Sequence, residues 1–220
     1  MPMNPPKNRI IEEGYNITNK DVSSEKRDKL FSDYYNKYEP FFNNIEEISG
    51  NRLISDIIGM KIIYIRILDD TDKKSEQNKA RPICDQLFIL LQRLDNKYYE
   101  YKRLYNLSLF WDGVVWSHLG KYKKSNKSFK ELLKIGETTE NNKKWYAYNL
   151  ARMWNRYLII FGIILLILSY WDNICLILGV EIFKLPSILL YPILFCVILC
   201  SIILLTNGKI FEYFINKKYK

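Results

Sequence analysis

His118 is the only histidine in the chain, so any histidine-dependent nucleophilic site would have to be built on it. Such a site needs a Ser or Cys within hydrogen-bond reach and a third group to orient the ring. The flanking residues, Trp116-Ser117-His118-Leu119-Gly120, carry no nucleophile elbow, which predicts a structural or exposed ring. The four cysteines offer no metal set, because Cys175, Cys196 and Cys200 lie in or beside hydrophobic runs and Cys84 stands alone. Cys196 and Cys200, four residues apart on one helical face, suit small packing residues. Asp69, Asp70 and Asp72 are spaced as a metal-binding cluster could be, but within DDTDKKSEQNKARP (69–82) they read as a solvated loop. The nine glycines never gather into a phosphate-binding loop. These patterns predict no catalytic residue, no cofactor and no metal, so the chain is expected not to be an enzyme.

The elements tell more. The chain has 220 residues, of which 48% are hydrophobic, yet its mean hydropathy is only −0.19 because the apolar residues gather in the last third. Tyr157 to Trp171 (YLIIFGIILLILSYW) holds no charge, and ICLILGV (174–180) extends it beyond Asp172 and Asn173. Ser187 to Thr206 (SILLYPILFCVILCSIILLT) gives a second uncharged run of a length that suits a membrane crossing. Pro186 suits the first turn of that helix, and Pro192 is expected to bend it. Two spans, at about 157–179 and 187–206, are therefore predicted to form a hairpin joined by a short outer loop. The amino terminus, MPMNPPKNR, has no apolar stretch, so no cleaved signal is expected.

Charge supports the same topology. Residues 1–120 are neutral overall, 121–156 carry ten basic against three acidic residues, and 207–220 carry four basic against one. The excess of +9 thus flanks the hydrophobic block on both sides. Lys/Arg-rich flanks stay on the cytoplasmic side during insertion, so both termini are predicted cytoplasmic and the hairpin sits in the cell's inner (plasma) membrane. The same charges would face the anionic inner leaflet, with Lys143, Lys144, Trp145, Arg152, Trp154 and Arg156 as membrane-interface residues. Nucleic-acid contact is the competing account of KYKKSNKSFK (121–130) and is the less favoured one. Ser169, Asp172, Asn173, Tyr191 and Ser201 are the candidate pore-lining or interhelical polar residues, since polar groups in hydrocarbon seek protein or water.

Upstream, residues 1–22 read as a flexible arm and 23–120 as a helical cytosolic domain. A helix opens near Ser24 and ends before Pro40, FFNNIEEISG (41–50) forms another that stops at Gly50, and 51–68 suits either helix or strand. After Pro82, residues from Cys84 to Tyr105 recur at helical spacing, followed by a turn or short helix ending by Gly120. Residues 121–141 read as a basic linker, 142–206 as a leading helix running into the hairpin, and 207–220 as a basic cytosolic tail. The fold class is an all-α membrane protein.

The segment KKWYAYNLARMWNRYLIIFGIILLIL (143–168) joins Trp145-Tyr146, Ala151, Arg152 and Arg156-Tyr157 directly to the first hydrophobic run. It resembles the leading helix of SLATT-type two-transmembrane effector domains of bacterial nucleotide-second-messenger defence systems, over about residues 143–206. The resemblance implies a membrane hairpin, self-association and disruption of the inner membrane on triggering. The expected role is a non-enzymatic, homo-oligomeric membrane effector with a cytosolic sensor or complex partner. The alternative is a membrane anchor that tethers a larger cytosolic complex.

Overall fold

A computed structural model describes residues 6–71, 73–169, 190–206 and 208–219, and among them every regular element is helical. The chain divides into two compact units, Met1–Leu132 and Leu133–Lys220.

The first unit is built around one helix. It contains α1 (Lys7–Thr18), α2 (Ser24–Lys37), α3 (Glu39–Asn43), a 3₁₀ turn (Ile45–Glu47), α4 (Asn51–Asp69), α5 (Lys74–Arg93), α6 (Tyr101–His118) and most of α7 (Tyr122–Lys134). Helix α4 packs against α1, α2, α5 and α6, and Ile57, Ile58 and Ile65 are fully buried on it. Arg52, Asp56, Gly59, Ile63 and Arg66 form its less buried stripe at helical spacing, and the β-branched run KIIYIRIL (61–68) is what lets the segment read as strand or helix. Gly50, at φ +88°, begins α4 instead of ending the preceding helix.

Three further segments fold differently from expectation. The arm predicted over 1–22 contains α1, whose Ile10 and Ile11 are buried and whose Ile10 carbonyl accepts from the Tyr34 hydroxyl at 2.8 Å. The loop predicted over 69–82 is largely the start of α5, with Pro82 inside the helix. Gln77, Ala80, Cys84 and Leu87 recur at three- and four-residue spacing and are buried, so core packing outweighs the lost proline hydrogen bond. The continuous helix from Cys84 to Tyr105 is two helices, parted where the Asp95 side chain accepts from Lys97 N at 2.9 Å.

The basic linker predicted over 121–141 is mostly α7. Its exposed face bears Lys123, Lys124, Lys127 and Lys130, whereas Ser125, Ser128, Phe129 and Leu132 are buried. Gly113 on α6 admits the Phe129 ring at a distance no Cβ would tolerate, and Ser125 Oγ donates to the Gly113 carbonyl at 2.6 Å.

The second unit comprises α8 (Glu140–Ser169), α9 (Leu190–Leu205) and α10 (Lys209–Lys218). Helix α9 packs antiparallel to α8: Gly162 lies beside Cys196, and Gly208, after α9, lies against the Ala147–Tyr148 backbone. The tail predicted over 207–220 is largely α10, whose Ile215 is buried with Ala147 and Leu133. Among the described residues, no helix is long and apolar enough to cross a membrane. The proposed spans reach into residues 170–189, which are outside the described part of the chain.

Candidate functional site

Helix α8 changes character along its length. Its first half is basic and aromatic, and from Tyr157 to Ser169 it has no charged residue. In the first half, Lys144 pairs with Glu140 at 2.5 Å, which holds the carboxyl below and the ammonium above its ordinary range. Trp145 meets Tyr148 edge-on at 6.1 Å, and Arg152 Nε donates to the Tyr148 hydroxyl at 3.0 Å with its guanidinium 5.0 Å over that ring. The three form one line at three- and four-residue spacing. Lys143 is half-buried, and Trp154 and Arg156 are exposed one turn further on. Tyr148, absent from the residues singled out by sequence, is the ring that ties Trp145 to Arg152.

Beyond Arg156 the outward surface is apolar. Ile160, Phe161, Ile163 and Ile164 on α8 are each about half exposed, and Leu194, Phe195 and Val197 on α9 are 56–64% exposed. The two helices turn Gly162 and Cys196 toward one another and these side chains away from one another. Exposing a large apolar side chain to water forfeits roughly 1.5–3 kcal/mol relative to burying it, so a continuous surface of them marks a contact with something non-aqueous.

Of the five polar residues predicted within the hydrophobic runs, Ser201 is the one whose side chain is described. Asp172 and Asn173 lie outside the described residues, as do the side chains of Ser169 and Tyr191. Ser201 is exposed, and its hydroxyl donates to the Val197 carbonyl at 2.8 Å, a bond within its own helix.

In the first unit, charge is buried where sequence did not place a site. Lys61 is fully buried on α4, donating to Tyr35 Oη at 3.2 Å and Gln86 Oε1 at 2.5 Å. Burial pulls its ammonium down to about 8, against a weaker upward pull from Glu39. The Tyr35 ring is stacked between Phe42 and Tyr64, at 4.5 and 3.9 Å. Arg81 pairs with Asp112 and Asp85 and lies 4.2 Å over the Trp116 ring, while Ser128 Oγ donates to Asp112 at 2.5 Å.

The histidine is placed as well. His118 Nδ1–H donates to Asp69 Oδ1 at 2.5 Å, tying the ends of α6 and α4 together. Asp69 is therefore buried against His118 at the end of α4 and not part of a solvated loop. Cys84 is fully buried and burial pushes its thiol up, the opposite of what a nucleophilic thiolate requires. Among the described residues, no group of three or more His, Cys, Asp or Glu could hold a metal ion.

Compared with known proteins, no family model, no curated protein and no solved structure matches this chain.

Proposed function

We propose that the second unit is a membrane-embedded helical hairpin and that the chain is a non-enzymatic, self-associating effector of the plasma membrane. The observation that carries this reading is the uncharged, outward-facing apolar surface of α9 and of the later part of α8. The described apolar lengths are thirteen residues on α8 (157–169) and sixteen on α9. At 1.5 Å per residue they reach about 20 and 24 Å, short of a hydrocarbon core of about 30 Å. Sequence supplies the rest, since residues 170–189 carry only Asp172, Glu181 and Lys184 as charges. Trp154, Arg152 and Arg156 fit the inner interface, where an amphipathic ring and long basic side chains are favoured. The defence role rests on the resemblance of residues 143–206 to SLATT-type domains.

A bilayer assay tests this. Induced expression should leave the chain in alkali-washed membranes and should depolarise the cells as read by a potential-sensitive dye. Normal polarisation with the protein present in the membrane would exclude the effector role. The second reading, an anchor for a larger complex, is favoured by the internally bonded Ser201 hydroxyl, which leaves that group little to offer a pore. An anchor would copurify with a different protein in fixed ratio, an effector mainly with itself.

A further inference from the structure

Helix α10 has two apolar faces. One packs on α8 through the buried Ile215 and partly buried Phe211. The other, about a third of a turn round the helix, carries Ile210, Tyr213 and Phe214, which are 40, 66 and 63% exposed. Exposed Lys209 lies one turn before this second face, and exposed Lys217 and Lys218 lie one turn after it. The one acidic residue of the helix, Glu212, lies toward Lys144 of α8.

Gly208, at φ +85°, breaks the helix between α9 and α10 and redirects the chain. This turn comes directly after the apolar run of α9, so α10 begins where the hydrocarbon would end. An apolar stripe flanked by lysines in that position is the pattern of an interfacial helix. We infer that the Ile210–Tyr213–Phe214 face docks on the anionic phospholipid surface of the leaflet from which the hairpin emerges. A second copy is the poorer occupant, because facing α10 helices would bring two sets of flanking lysines together. This inference rests on the membrane-hairpin reading.

The test uses the full chain, its own cysteines replaced by alanine, reconstituted in vesicles with a nitroxide label at Phe214→Cys. In phosphatidylcholine vesicles containing phosphatidylglycerol, the label should be relaxed several-fold more by oxygen than by a water-soluble nickel chelate. Replacing Lys209, Lys217 and Lys218 with Gln should abolish that preference while the chain stays in alkali-washed vesicles. Equal or greater relaxation by the chelate before any lysine is replaced would overturn the inference and leave the hairpin intact. Exclusion of both reagents with spin–spin broadening would also overturn it, assigning the face to a second copy. Loss of the chain from washed vesicles would overturn both readings.

Discussion

Lys61 brings its ammonium into the core of the first unit, with a tyrosine hydroxyl and a glutamine carbonyl as partners and, among the described residues, no carboxylate bonded to it. Its folded value of about 8 lies below the ordinary 10.5, so between those values the unfolded chain holds a proton that the folded chain has lost. Stability therefore rises with pH in that window, and the full burial cost remains below it. Burial raises Tyr34 and Tyr35 above their ordinary 10.0, which reverses the trend once unfolded tyrosines ionise. The buried Cys84 thiol, raised above its ordinary 9.0, offsets Lys61 from about pH 9 upward, so the rise is confined to about pH 8–9 and is on the order of 1 kcal/mol. Urea midpoints at about pH 7.5 and about pH 9, followed by near-ultraviolet circular dichroism, should show it, and Lys61→Met should flatten it. The Asp69–His118 pair makes a second residue-level prediction. His118→Ala deprives a buried carboxylate of a charge-assisted donor and should lower stability by about 1–3 kcal/mol in the same assay.

At the level of elements, the docking of α7 on α6 turns on one missing side chain. A Cβ at Gly113 would stand 2.6 Å from the Phe129 ring, so Gly113→Ala must displace that ring. The expected loss is about 1–3 kcal/mol, and Phe129→Leu in the same chain should recover part of it, read from urea midpoints. Such close approaches are invisible in a sequence, where Gly113 is simply one glycine among nine. Elements with one wet and one dry face were legible: α2 with its Ser23 cap, the amphipathic part of α5, and the onset of α8 all follow the spacing of apolar residues. Two kinds of segment were not. Helix α4 carries the β-branched run KIIYIRIL, whose composition suits a strand as well as a helix, and its buried Lys61 has no mark in the sequence that sets it apart from an exposed lysine. Helices α1, α7 and α10 are short and lysine- or glutamate-rich, so their composition suggested arm, linker and tail. Each is held by few large residues, such as Ile10 and Ile11, Phe129, and Ile215, whose weight depends on partners distant in sequence. For the candidate site, residue type alone singles out the basic and aromatic residues of α8, whereas the second apolar face of α10 required knowing which face α8 already covers.

For the whole molecule, the decisive asymmetry is that basic residues flank the apolar block on both sides while the block itself is nearly uncharged. Orientation in a bilayer follows Lys and Arg near the ends of the spans, with Asp and Glu contributing little. Ion pairing such as Lys144 with Glu140 should therefore not weaken the signal. On the proposed hairpin reading, two spans with basic outer flanks have one arrangement that keeps both flanks on the same side, which predicts that a site inserted near 180–187 faces the opposite side. Protease added to intact spheroplasts should then spare epitopes fused at either end of the chain, and permeabilisation should expose both. A cleavage site inserted between Glu181 and Lys184 should instead be cut from outside, leaving each epitope on a protected fragment. Loss of one terminal epitope in intact cells would require a single crossing, and loss of neither epitope after permeabilisation would mean that the assay itself had not reached the chain's cytoplasmic parts. Replacing Lys143, Lys144, Arg152 and Arg156 with Gln tests the cause: four of the ten basic residues of 121–156 would go, and a fraction of molecules should then show an inverted or single-pass pattern.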